Sequence, residues 1–103
     1  MAHRESLYPE DWFRIGKKDL KRAEYLLDLG DLEGAGFNIQ QAVEKYLKGF
    51  LLSRGWTLRR IHELETILND VIIYEPSFEK FREVCQKITD YYSIDRYPIS
   101  CIF

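Results

Sequence analysis

Few residues in this chain are placed to do chemistry. Gln41, Glu44, Lys45 and Lys48 recur at spacings of three and four, so a helix would carry them on one face. Two lysines there could meet a phosphate or a partner's acid; otherwise the four form a solvated ridge opposite the core. Glu44 and Lys48 form an i,i+4 pair in the favourable orientation, worth about 0.3 kcal/mol when exposed. His62 is a second candidate, with Arg54, Arg59 and Arg60 close in sequence. An arginine–histidine pair suits RNA cleavage, because imidazole moves a proton and guanidinium stabilises charge on the phosphorane. As a lone histidine, His62 could equally be a structural residue at a helix start. Arg96, in Asp95-Arg96-Tyr97-Pro98, is the third candidate. Its planar fork suits an anion, and its simpler role is a salt bridge at a helix end with Asp95. No metal-ligand spacing exists among two histidines and two cysteines, and no cofactor is implied. The glycines at 30, 34 and 36 lack the lysine and the strand–loop–helix context of a phosphate loop.

Four helices are predicted to carry these residues. Pro9-Glu10-Asp11 opens the first, with proline suited to the first helical position and acids opposing the positive end of the dipole. Trp12, Ile15, Leu20, Ala23, Leu26 and Leu27 give it a helical rhythm. Lys17, Lys18, Lys21 and Arg22 take the opposite face, as a solvated face or a phosphate-attracting strip. Gly30 closes this helix. Asp31 is the predicted N-cap of the second helix, over residues 33–54, with the early Gly34 and Gly36 able to delay its start. Its apolar residues, among them Ala35, Ile39, Ala42, Val43, Leu47 and Leu51, fill two adjacent stripes. A buried arc that wide belongs to the centre of a bundle or to a shared subunit interface.

Gly55 ends that helix and Trp56 to Arg60 form a loop. A short third helix is predicted from Ile61 or His62 to about Ile73. A fourth is partly capped by Ser77, with Phe78, Phe81, Cys85, Ile88 and Tyr92 in one stripe, and the pattern ends before Pro98. Strand signals are poor. The expected fold is all-α, an antiparallel up-and-down bundle of four main helices in a single domain, with tails at residues 1–8 and 99–103.

The totals agree with a small folded domain. The 103 residues include 46% hydrophobic and 31% charged ones, too apolar for a disordered chain. A formal net charge of −2 does not suit a dedicated duplex-DNA binder, although a local basic patch is compatible with it. Cys85 lies on the apolar stripe and reads as a buried thiol. No run approaches a membrane span and no signal-peptide segment is visible at the start, so a cytoplasmic location is expected.

The run Phe37-Asn38-Ile39-Gln40-Gln41-Ala42-Val43-Glu44-Lys45-Tyr46-Leu47-Lys48 resembles the second-helix signature of HEPN domains, Gln-Gln-Ala-x-Glu-Lys-x-Leu-Lys. Asp11-Trp12, Asp19-Leu20, Ala23 and Leu27 are similar to that family's first helix. His62-Glu63-Leu64 with Ile67-Leu68 resembles its third, and Tyr92 followed by Arg96-Tyr97-Pro98 resembles its ending. The likeness covers roughly residues 11 to 98. It implies a helical bundle, often a homodimer, commonly encoded beside a minimal nucleotidyltransferase in pairs that resemble toxin–antitoxin modules. Nucleotide binding is also implied, with Lys45, Lys48 and Arg96 toward phosphate, His62 and Tyr97 toward base or ribose, and Gln41 among the ligand-binding residues. Other branches are metal-independent ribonucleases, in which an arginine is followed by four to six residues and a histidine.

That ribonuclease pattern is not present as written. Seven residues separate Arg54 from His62, Arg59 and Arg60 are too close to it, and no histidine follows Arg96. His62 and Arg96 remain the candidate catalysts of an RNA endonuclease toxin. The leading expectation is a non-catalytic subunit binding a nucleotide or a partner, and a purely structural interaction domain is the third. The chain ends on Ile99-Ser100-Cys101-Ile102-Phe103, where the family usually continues into another helix. An uncovered apolar face is therefore expected, closed by dimerisation or left as a groove.

Overall fold

The computed structural model describes residues 6–92. Among these there are four α-helices and no strand: α1 (Pro9–Asp28), α2 (Leu32–Ser53), α3 (Leu64–Tyr74) and α4 (Arg82–Tyr92), with a 3₁₀ segment (Pro76–Phe81) before α4. The all-α bundle expected from periodicity is the observed architecture.

The ends of α1 and α2 follow from local sequence. Pro9 opens α1 with Glu10 and Asp11 in its first turn, and Asp31 caps α2 by accepting a hydrogen bond from the Gly34 amide at 2.9 Å. Gly30 and Gly55 both adopt positive φ, 82° and 86°. Each is followed by an amide that reaches back to the helix: Asp31 N–H to Leu26 O at 2.9 Å, and Trp56 N–H to Leu51 O at 3.1 Å. These are paired Schellman closures, and glycine meets the left-handed backbone without a Cβ penalty.

The second helix is the hub. One side meets α1, with Gly16 against Ala42 and Tyr46, and Phe13 against Gly49. Since early α1 meets late α2, the two helices are antiparallel. The other side enters the core of Leu47, Leu51, Trp56, Leu64, Ile67, Leu68, Val71 and Cys85, with Val43 and Phe50 packed on it. Two packing faces explain the wide apolar arc read from the sequence.

Three features differ from expectation, two of them helix boundaries. The third helix starts at Leu64, because Glu63 is extended (φ −77°, ψ 122°) and occupies the N-cap position. His62 therefore lies in the preceding loop. Second, Ser77 does not cap a fourth helix; its hydroxyl donates to Glu75 Oε2 at 2.7 Å, and the chain takes a 3₁₀ course from Pro76 before α4 begins at Arg82. Three residues per turn align Phe78 with Phe81, whose ring centroids lie 5.3 Å apart, while Phe78 stacks on Phe50. Third, Leu20 and Leu27, assigned to the apolar rhythm of α1, are exposed, and the buried stripe is Trp12, Gly16, Asp19 and Ala23.

The candidate functional site, a polar seam along the central helix

The second helix presents Gln41, Glu44 and Lys48 along the edge between its two packing faces. A ridge there would be solvated if nothing lay over it. Trp12 and the loop before α3 lie over it, so the solvated-ridge reading is corrected: Glu44 is 5% exposed and Lys48 2%. Lys48 Nζ donates to Glu44 Oε2 at 3.0 Å and sits 5.6 Å from the Trp12 ring centroid, within cation–π range. Trp12 is itself held by its indole N–H, which donates to Ser6 O at 2.9 Å. A pair this enclosed is no surface pair, and removing either member would leave a buried charge.

His62 joins the same carboxylate. Its Nδ1 lies 2.8 Å from Glu44 Oε2, although the side chain is 70% exposed. A carboxylate in a salt bridge only accepts, so His62 donates through Nδ1–H, which leaves Nε2 as an acceptor when the ring is neutral. The loop carrying His62 is tied down at its other end. Asp70 Oδ2 accepts from the Trp56 indole at 2.9 Å and from Arg59 at 3.1 Å. Arg59 is thus spent on Asp70, while Arg54 lies over the Phe50 ring at 4.8 Å. Neither forms the arginine–histidine pair considered from sequence.

A second knot lies between α1 and α2. Asp19, 4% exposed, accepts from Lys45 Nζ at 2.7 Å through one oxygen and from Arg22 at 3.2 Å through the other. Lys45 also donates to Gln41 Oε1 at 3.2 Å. Gln41, Lys45 and Lys48, proposed from sequence as ligand contacts, are thus engaged inside the protein. Asp19 and Trp12 were missed as site residues. The available signal was an acid at 19 in register with Trp12, Gly16 and Ala23, a polar residue on a buried stripe. Arg96 and Tyr97 lie outside the described residues, as do the tail at 99–103 and the side chain of Tyr92.

Among the described residues no group of three or more His, Cys, Asp or Glu side chains could hold a metal ion, and no helix is long and apolar enough to cross a membrane. Among the described residues the Glu44–Lys48 anchor reaches the surface through His62; it resembles a structural lock with one polar tip more than a phosphate cradle.

An all-helical bundle built round a Gln-Gln-Ala-x-Glu-Lys-x-Leu-Lys helix defines a known class of domain. The HEPN domain model matches residues 9–101, and the chain belongs to the HEPN family. No curated protein and no solved structure matches it.

Proposed function

We propose that this HEPN domain is a non-catalytic, partner-binding subunit, and that its partner is a minimal nucleotidyltransferase in a toxin–antitoxin-like, cytoplasmic module. The partner's identity rests on the likeness of the 37–48 run and of Arg96-Tyr97-Pro98 to that branch of the family. The choice of protein over nucleotide rests on the seam. Lys45 and Lys48 are already neutralised by Asp19 and Glu44, and a phosphate would have to break a buried ion pair to reach Lys48.

The observation that carries the reading is the end of the α1–α2 hairpin. Tyr25, Leu27, Leu29 and Leu32 are 61%, 49%, 80% and 64% exposed within eight residues of chain. Apolar side chains gathered at one end of a small domain favour a protein contact. A second copy of the chain is the competing occupant, in keeping with the expected homodimer.

Co-expression with the neighbouring reading frame tests this. The nucleotidyltransferase should co-purify with the wild type and be lost with Leu29→Glu/Leu32→Glu, while sedimentation of the domain alone reports self-association. Failure to co-purify overturns the partner; retention by the variant overturns the face. Adding ATP should not raise the melting temperature. A stabilisation of about 2.7 kcal/mol at a hundred times the dissociation constant would restore the nucleotide reading.

The endonuclease alternative draws on one observation: His62 is 70% exposed and is held through Nδ1 on a fixed carboxylate, as a general base is. Undiminished toxicity of His62→Ala/Arg96→Ala dismisses those two residues as catalysts.

A further inference from the structure

The outward face of α1 lies apart from the Glu44–Lys48 pair; it touches the Asp19 knot through Arg22 and meets the hairpin end only at Tyr25. Between residues 14 and 22 it carries Arg14, Lys17, Lys18, Lys21 and Arg22, a third of all lysine and arginine in a chain of net charge −2. The one acid in that stretch, Asp19, is buried against α2 and shared by Lys45 and Arg22. Arg14 pairs with Asp11 at 3.1 Å. Lys17, Lys18 and Lys21 are exposed and have no acidic partner among the described residues. Lys18 and Lys21, and Lys17 and Lys21, are i,i+3 and i,i+4 neighbours, so the helix bears like-charge repulsion along this face. Glu10 and Asp11 lie before this stretch and Glu24 and Asp28 after it, leaving its middle cationic.

An aromatic ring completes the strip. Tyr25, 61% exposed, is one turn beyond Lys21 and two beyond Lys18, on the same face. Three free ammonium groups within about one helical turn, followed by an accessible ring, match a short run of phosphates followed by a base. The strip is one helix wide on a convex surface, and an acidic remainder of the chain would repel the second strand of a duplex.

We infer that the outer face of α1 binds single-stranded polynucleotide, with Lys17, Lys18 and Lys21 on the backbone phosphates and Tyr25 stacked on a base. The mode is sequence-tolerant and needs neither His62 nor the hairpin leucines, and Tyr25 is the one residue it shares with the partner-binding end.

Fluorescence anisotropy with labelled U20 RNA and dT20 DNA tests it on the intact chain. Each single-strand phosphate contact contributes about 0.7 to the salt slope, so three predict affinity falling about twentyfold between 50 and 200 mM salt. Lys17→Gln/Lys18→Gln/Lys21→Gln should abolish most binding and flatten that slope by about 2. Tyr25→Ala should weaken binding about tenfold and leave the slope unchanged. Lys80→Gln/Lys87→Gln, which removes two cations elsewhere, should bind as wild type does. Circular dichroism confirms that each exposed-site variant is folded. Comparable affinity for U20 and dT20 marks shared backbone chemistry, and a preference for U20 marks RNA; either supports the assignment. No binding at 50 mM salt, or a triple variant that binds as wild type does, overturns it. So does binding of duplex or polyglutamate that equals U20 together with a silent Tyr25→Ala.

Discussion

Glu44 on α2 and His62 in the loop before α3 share a hydrogen bond of 2.8 Å across eighteen residues of chain, through the same carboxylate oxygen that accepts from Lys48. One buried anion therefore joins the central helix to the connection that follows it, and a cation held under Trp12 neutralises it.

Breaking this anchor should be costly. Lys48→Met leaves Glu44 as a buried uncompensated charge, and we expect a loss of about 3–5 kcal/mol in urea unfolding. Glu44→Leu/Lys48→Met, which removes both charges, should recover a large part of that loss. A double variant no more stable than Lys48→Met would show that the pair is not an isolated buried one.

The tautomer of His62 follows from the same bond. Long-range ¹H–¹⁵N correlation at a pH where the ring is neutral should find Nδ1 protonated and Nε2 bare. His62→Ala should cost about 1 kcal/mol, as expected for a half-exposed hydrogen bond. An Nε2–H tautomer in the wild type would contradict the Glu44 contact.

The Asp19 knot fastens α1 to α2. Asp19→Ala strands Lys45 in a partly buried site, and a cost of about 2 kcal/mol is expected for the lost charge-assisted bonds. Arg22→Ala, which removes an exposed partner of the same acid, should cost under about 1 kcal/mol. Equal losses in thermal or urea melts would mean that Lys45 is not the main partner.

Cys85 is 2% exposed, and burial raises its thiol pKa above the ordinary value. Its neutral form is favoured and its access is blocked, so it should resist thiol reagents at pH 8 until the protein unfolds. In a Cys101→Ser background, labelling by a chromogenic disulfide should be slow in buffer and fast in denaturant. Rapid labelling of the folded protein would refute the burial.

Much of this was legible in the sequence because it depends on local chemistry. Pro9, Asp31, Gly30 and Gly55 mark helix ends through backbone geometry, and each does so within a few residues of itself. The double apolar stripe of α2 foretold two packing faces, and the Gln40–Lys48 run pointed to the family. The position of Cys85 followed from its stripe in the same way. Helical spacing also placed Gln41, Glu44, Lys45 and Lys48 together, though it could not say what would lie over them.

Tertiary structure alone decided that. Whether Lys48 is a solvated ligand or a buried counter-ion depends on Trp12, thirty-six residues away, and on a loop that brings His62 back over the helix. Asp19 meets Lys45 only because α1 and α2 run antiparallel in one register. The partner that covers a charge is a non-local property, set by how helices pack and not by the residues beside it. The sequence therefore determined the helices, the ends of α1 and α2 and the family; packing determined which of the polar residues are structure and which remain free to meet another molecule.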